Sequence, residues 1–259
     1  MYEKSKKLKF SIITVTKNAE HHILDTIESV KNQIGVELEH IIIDSISTDK
    51  TLELSKKYEK SYNLIIKSEL DDGIADAFNK GLKVFSGDWV IFLGAGDCFA
   101  HCNVLFDIKN ELNKKPNALI VWGNIIFINS DGKVGKSVSG KFPKDRLKRY
   151  MAMPHQATFF KKDLFKKFGM FDKNIKCGMD YDLLMRCFSV IDEYNYIDYN
   201  VSYMLTGGIS DIGSEAIKDF RDIQIKHKIW PFYIAYLWYY WAQIKNIVKY
   251  IIKYKSTGV

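Results

Sequence analysis

Along the first hundred residues, short runs of β-branched and aliphatic residues alternate with stretches in which apolar positions recur every three or four residues. Residues 10–16, 39–44, 63–67 and 88–93 read as strands, and the last is nearly continuous in apolar character, as suits a strand buried on both faces. Between them, Ile23, Ile27 and Val30 place one apolar stripe on a helix that Asn18 is able to cap. Ser47, Thr48 and Asp49 offer capping oxygens to a second helix starting near Lys50, and residues 74–85 carry the period of a third. Strands and helices in alternation predict an α/β chain, doubly wound, with a mostly parallel central sheet and helices on both faces.

The rhythm breaks after residue 100. Residues 118–128 and 133–139 flank Asn129-Ser130-Asp131-Gly132, a turn signal that predicts a β-hairpin. Residues 163–168 and 180–190 have helical spacing, residues 195–205 are strand-like, and Gly207-Gly208 marks a loop. Residues 230–241 are dense in aromatics, and Lys245, Lys249 and Lys253 follow at four-residue spacing, with Ile244, Ile247, Val248, Ile251 and Ile252 on the other arc. That pattern predicts a C-terminal amphipathic helix able to lie in a membrane interface, since its apolar run falls short of the roughly 20 residues a span requires. A helix packed on the domain, or on a second copy, has the same periodicity.

Hydrophobic residues make up 47% of the chain, which argues for one large globular unit rather than a disordered segment. The formal charge of +7 points to an anionic partner, either a membrane surface or a diphosphate. Its lysines are scattered rather than gathered on a reading element, so no nucleic acid is expected. Cys98, Cys102, Cys177 and Cys187 lack the paired C-x-x-C spacing of a zinc site. No secretory leader precedes the first strand, and four reduced thiols in a cytosolic setting are expected. No G-x-G-x-x-G follows that strand, which argues against a nicotinamide-dependent dehydrogenase.

Three acidic segments carry candidate chemistry. Asp44 ends the second strand, at the edge where parallel α/β sheets bind ligands. Asp71, Asp72 and Asp76 surround a helix start, with Asn79 three residues beyond Asp76 on the same face. Ile91-Phe92-Leu93-Gly94-Ala95-Gly96-Asp97 ends a hydrophobic strand in one isolated carboxylate, suited to a metal-bound diphosphate, and Asp180-Tyr181-Asp182 opens a later helix with a carboxylate suited to act as a base.

These motifs resemble the inverting family 2 glycosyltransferases, nucleotide-sugar enzymes of the GT-A fold, from residue 10 to about residue 210. Ser11-Ile12-Ile13-Thr14-Val15-Thr16-Lys17-Asn18 resembles the family's opening strand, and Asp44-Ser45-Ile46-Ser47-Thr48-Asp49 its D-G-S-T-D segment. The stretch from Asp71 to Gly81 resembles the D-x-G-I-x-D-A-x-N-x-G motif of the subgroup that builds bacterial surface polysaccharides of the O-antigen, capsule and colanic-acid type. The resemblance implies donor contacts from Thr14, Asp44, Asp71, Asp76, Asn79, Ala95 and Gly96. It implies a Mn²⁺ or Mg²⁺ ion on Asp97, with Asp180 as general base. It further implies acceptor or diphosphate contacts from His155, Gln156, Asp182 and Arg186, although Asp182 and Arg186 at i,i+4 also suit a structural pair. Gly94 and Gly96 stand where relatives often carry Asn, Asp or Ser, so a single carboxylate implies a metal held weakly or with the substrate's help.

By the same resemblance, residues 1–100 would bind a nucleotide-sugar, UDP-linked, and residues 101–215 would form the acceptor-binding and catalytic half. Residues 216–259, an amphipathic helical segment beyond the resemblance, would by their own aromatic and lysine pattern attach the enzyme peripherally to the inner face of the cytoplasmic membrane, near a polyprenyl-diphosphate-linked glycan acceptor. Association with a second copy is left open. A catalytically silent nucleotide- or glycan-binding subunit at the membrane is the alternative, raised by Gly94 and Met179 and opposed by the four aspartates in register.

Overall fold

Burial on two faces sorts the strands. In this computed structural model, which describes residues 8–129, 133–206 and 213–256, the apolar runs become β1 (Lys9–Thr16), β2 (Glu37–Asp44) and β4 (Trp89–Gly94). With the half-covered edge strand β3 (Leu64–Ser68) they form a four-strand parallel block in the order β3-β2-β1-β4.

Beyond β4 the sheet is mixed rather than parallel. β8 (Thr158–Lys161) runs antiparallel to β4, and β6 (Ile120–Ile128), β9 (Tyr196–Leu205) and the two-residue β5 (Cys98–Phe99) complete the sheet. β7 (Val134–Val138) pairs antiparallel with β6, as the hairpin pattern predicts, although residues 130–132 of its turn lie outside the described residues.

Helices cover both faces, in agreement with the α/β reading. On one, α3 (Ile74–Leu82), α5 (Lys162–Phe168) and α6 (Met179–Arg186) pack Phe78, Leu164 and Leu184 against Ile13, Ile41 and Phe92. On the other, α1 (Ile23–Lys31) covers Ile42 with Ile23 and Ile27, and α4 (Val104–Asn113) meets Ile91 and Leu93. Helix α2 (Thr51–Lys56) packs beside α1. Gly81 is set by close approach: a Cβ there would stand 2.4 Å from Ile13 Cγ2, so only glycine lets α3 lie this close to β1.

Several local expectations change. Asn18 does not cap α1; its φ is +49°, and its Oδ1 accepts the Thr48 amide at 2.8 Å, lacing the loop after β1 to the loop after β2. Asp49 joins this lacing through the Glu20 amide at 3.0 Å. α3 stops at Leu82 and α6 at Arg186, short of the patterns that suggested them. The helix α4 was not expected, and α7 (Gly213–Lys226) is a separate helix at the start of the expected helical segment 216–259, while Gly207-Gly208 lies outside the described residues.

The C-terminal helix α8 (Phe232–Ser256) rests on α7 through buried Ala235, and the Arg221 guanidinium lies 4.8 Å and 4.7 Å from the rings of Tyr236 and Tyr239. Tyr233, Leu237, Tyr240, Trp241, Ile244 and Val248 are exposed together at helical spacing on the other side. The side chains of Ile247, Lys249, Ile251, Ile252 and Lys253 lie outside the described residues, so the lysine stripe is represented by Lys245 alone. Among the described residues, no helix is long and apolar enough to cross a membrane.

Two buried titratable groups fix how the fold responds to acid. His40, fully buried, bridges Thr14 Oγ1 at 2.9 Å and Tyr62 Oη at 2.7 Å, and burial pushes its imidazole down to about 3. Burial works against ionisation of Glu39, but Lys9, Ser11 and Ser86 hydrogen bonds outweigh it and hold the carboxyl at about 2. A folded imidazole below its unfolded value of about 6.5 gives stability that is complete above pH 6.5 and lost towards pH 3. Glu39 adds a loss from roughly pH 4.3 down to about 2. We expect His40→Gln to flatten the decline in urea-unfolding free energy between pH 6.5 and 4.5 while leaving the steeper loss below it; an unchanged profile contradicts this account.

Candidate active site

The parallel block sets acids at one edge. In register, Asp44 of β2 pairs with Thr16 of β1, and Gly94 of β4 pairs with Val15 on the other side. The carboxyl ends of β2 and β4 thus flank that of β1, roughly 10 Å apart by ordinary strand spacing. Asp44 is buried and already organises this edge: its Oδ2 accepts the Ser47 amide at 3.1 Å and the Ser68 hydroxyl at 2.6 Å, and its Oδ1 accepts the Ser47 hydroxyl.

Asp97 is buried in the turn after β4. Its Oδ2 accepts the Gly94 amide at 2.8 Å and its Oδ1 the Leu205 amide at 3.3 Å. Burial pushes its carboxyl up to about 6 against these two amides and the Gln156 side chain, which bonds it as well. Gly96 has φ +99°, and a Cβ there would meet Leu205 Cδ2 at 2.9 Å. A side chain at this position is therefore disfavoured on both counts. The amides of Ala95 and Gly96 are engaged by Val15 O and Thr26 Oγ1.

His155 and Gln156 open a 3₁₀ turn, His155–Ala157, against β4. The His155 ring stacks on Phe92 at 5.4 Å and 9°, and among the described residues neither ring nitrogen has a partner. Burial lowers its pKa while the Asp180 charge opposes that shift; burial raises the pKa of half-buried Asp180, opposed by His155. Asp180 Oδ1 accepts the Tyr181 amide at 2.7 Å. Gln156 of this turn thus acts on the Asp97 carboxylate, while the neighbouring His155 ring feels the Asp180 charge without bonding it.

Other candidates serve the scaffold. Asn79 clamps the Phe171 backbone, donating to O at 2.9 Å and accepting N–H at 3.0 Å. Thr14 is fully buried against His40 and offers no side chain to the cleft. Asp182 is fully buried, bound to Arg186 at 2.9 Å, Lys226 at 3.1 Å and His227 at 2.9 Å. Arg186 also donates to the carbonyls of Phe168 and Met170. Both residues therefore join α6 to its surroundings and are unavailable to an acceptor. Asp71 accepts the Gly73 amide at 3.0 Å, and Asp76 pairs with Lys173 at 3.2 Å and Lys80 at 3.6 Å. Burial would raise the Asp76 pKa, but the Asp72 amide and these lysines hold it below its usual value. Lys80 and Lys173 were missed in sequence, although Lys80 lies one helical turn beyond Asp76.

Among the described residues, no three His, Cys, Asp or Glu side chains converge as a metal cluster. The donor set nonetheless fits a hard divalent cation held chiefly by substrate phosphates: Asp97 contributes one carboxylate, and its Oδ1 contact to Leu205 is long enough to yield.

The family profile "Glycosyl transferase family 2" matches residues 11–179. The chain belongs to that family. It is a nucleotide-sugar-dependent glycosyltransferase of inverting, GT-A type. A Mycobacterium bovis protein named PGL/p-HBAD biosynthesis glycosyltransferase is 29% identical, over 78% of this chain and 79% of its own length. The minor teichoic acid biosynthesis protein GgaB of Bacillus subtilis is also 29% identical over 76% of this chain, which spans 23% of that longer protein. In structure, residues 1–349 of S. aureus TarS in complex with UDP-GlcNAc superpose with a TM-score of 0.67 at 20% identity, covering 85% of this chain and 66% of that one. The Pyrobaculum calidifontis mannosyltransferase PcManGT, with GDP-Man and Mn²⁺, gives 0.60 at 15% identity, covering 86% and 64%.

If Asn79 is a clamp, Asn79→Ala lowers the urea-unfolding free energy by about 2 kcal/mol or more, because it leaves the buried Phe171 amide and carbonyl unpaired, and nucleotide binding survives in the folded fraction. Loss of binding at unchanged stability would return Asn79 to the ligand.

Proposed function

We propose that this glycosyltransferase moves a hexose from a UDP-sugar, with inversion, to a glycan carried on a polyprenyl diphosphate during bacterial surface polysaccharide synthesis. The observation that carries the reading is the family match over residues 11–179 together with buried Asp44 and Asp97 at the carboxyl edge of the parallel block. Asp180 takes the proton of the acceptor hydroxyl as its oxygen attacks the anomeric carbon from the side opposite the diphosphate, and this single displacement inverts the centre. Burial that raises the Asp180 pKa also makes it a stronger base. Asp44, Ser47 and Ser68 offer a polar floor to the nucleoside. A divalent cation held by Asp97, when bound, supplies positive charge against the leaving diphosphate.

The names of the relatives, for PGL/p-HBAD and teichoic acid biosynthesis, support a surface-glycan acceptor. The UDP-sugar seen with TarS supports the donor class. The exposed face of α8, with Lys245 over Trp241 at 5.1 Å, supports peripheral attachment to the anionic inner leaflet.

UDP with Mn²⁺ should raise the thermal stability of the chain, since a ligand at 100 times its Kd contributes about 2.7 kcal/mol, and Asp97→Ala should abolish the effect. Asp180→Asn should keep the UDP shift and lower transfer by about 10²- to 10⁴-fold. A chain that no nucleotide stabilises is a silent subunit instead, and full transfer by Asp180→Asn removes the base assignment. The chain should also sediment with vesicles containing anionic lipid, and Leu237→Glu with Trp241→Glu should leave it in the supernatant; equal sedimentation of the two excludes α8 as the attachment.

A further inference from the structure

Helix α7 lies beyond the family-matched residues 11–179, yet it grips the segment bearing Asp180 on both sides. Ahead of Asp180, the Asp219 Oδ2 accepts the backbone N–H of Cys177 at 2.8 Å and of Gly178 at 3.2 Å, the two residues that lead into α6. A Cβ on Gly178 would stand 2.9 Å from Ile223 and 3.2 Å from the Asp219 Cβ, so the fit leaves no slack. After Asp180, the buried Tyr181 ring meets Phe220 edge-on at 4.9 Å, its hydroxyl accepts from Gln224 at 3.4 Å, and Asp182 binds Lys226 and His227. Among the described residues, Asp180 itself has no bond to α7.

We propose that Asp219 is the positioning residue for the general base. The first amides of a helix lack intrahelical acceptors, and a carboxylate near them is drawn to them by hydrogen bonding and by the helix dipole. α6 has Gly178 at its cap position and no side-chain cap of its own, while Asp180 stands in its first turn and already accepts the Tyr181 amide. Asp219 holds from outside the two amides that lead into the helix, which fixes the start of α6 and hence where Asp180 stands, while Asp180 itself takes the Tyr181 amide. The C-terminal arm is then part of the catalytic apparatus as well as a support for α8.

The inference rests on Asp180 being the base, so the test runs Asp180→Asn beside Asp219→Leu and Asp219→Asn in the full chain. The readouts are UDP release from a panel of UDP-hexoses with water as acceptor, and the thermal shift with UDP and Mn²⁺. Misplacing a reacting group by about 1 Å costs on the order of 10²-fold, and we expect that loss of kcat in Asp219→Leu with the sugar-donor KM and the UDP shift unchanged. Asp219→Asn, which keeps an accepting oxygen, should recover most of it. Turnover of Asp219→Leu within about twofold of the parent overturns the proposal when Asp180→Asn is impaired. So does joint loss of turnover and UDP shift, which marks a merely structural role, or an Asp219→Asn as impaired as Asp219→Leu. A fully active Asp180→Asn removes the base assignment and this proposal with it.

Discussion

The Asp97 carboxylate is the constraint on which the site depends. One oxygen takes the Gly94 amide of its own turn, and the other takes the Leu205 amide at the far end of β9, 108 residues later. That bond closes the short β5 pairing with β9 and brings the second half of the chain over the carboxyl edge of the first. The cost is visible in the pKa: burial holds the group near 6, so an ionised Asp97 is less comfortable here than in water. A cation or another positive partner removes that penalty, which is the physical sense in which this turn is prepared for a ligand.

Much of the structure around it converts apparent ligand motifs into scaffolding. In the stretch from Asp71 to Gly81, Asp71 closes a turn on Gly73, Asn79 clamps Phe171, and Gly81 admits α3 against Ile13. Asp72 and Asp76 both pair with Lys173, and Asp76 pairs with Lys80 as well. The clamp at Phe171 matters for function because the next residues lead into α6. The α3 helix is thereby tied to the segment that leads into α6, and α7 fixes α6 from the other side.

The parallel block was legible because its strands are buried on both faces and read as unbroken apolar runs. Asp44 and Asp97 were legible for the same reason: they end such runs. The antiparallel half was only partly so, since strands as short as β5 and β8 carry too few residues for a period to register. α4 was missed and α7 was not separated from the rest of the C-terminal helical segment because their apolar stripes are diluted by charge, with Asp219 and Arg221 among the residues that make α7 useful. The i,i+4 pairing of Asp182 and Arg186 was legible and is present, whereas the depth of Asp182 was not, because residue type does not disclose burial. A carboxylate met by Arg186, Lys226 and His227 is an internal joint, and two of those three partners lie some forty residues away.

The most direct measurement is backbone amide NMR of the chain titrated with UDP and Mn²⁺, in which the paramagnetic ion broadens amides according to distance. The account predicts broadening centred on Gly94, Asp97 and Leu205, extending to Gln156 and Asp180. Broadening centred instead on the acidic groove lined by Asp107, Glu111 and Asp198, between α4 and β9, would contradict it.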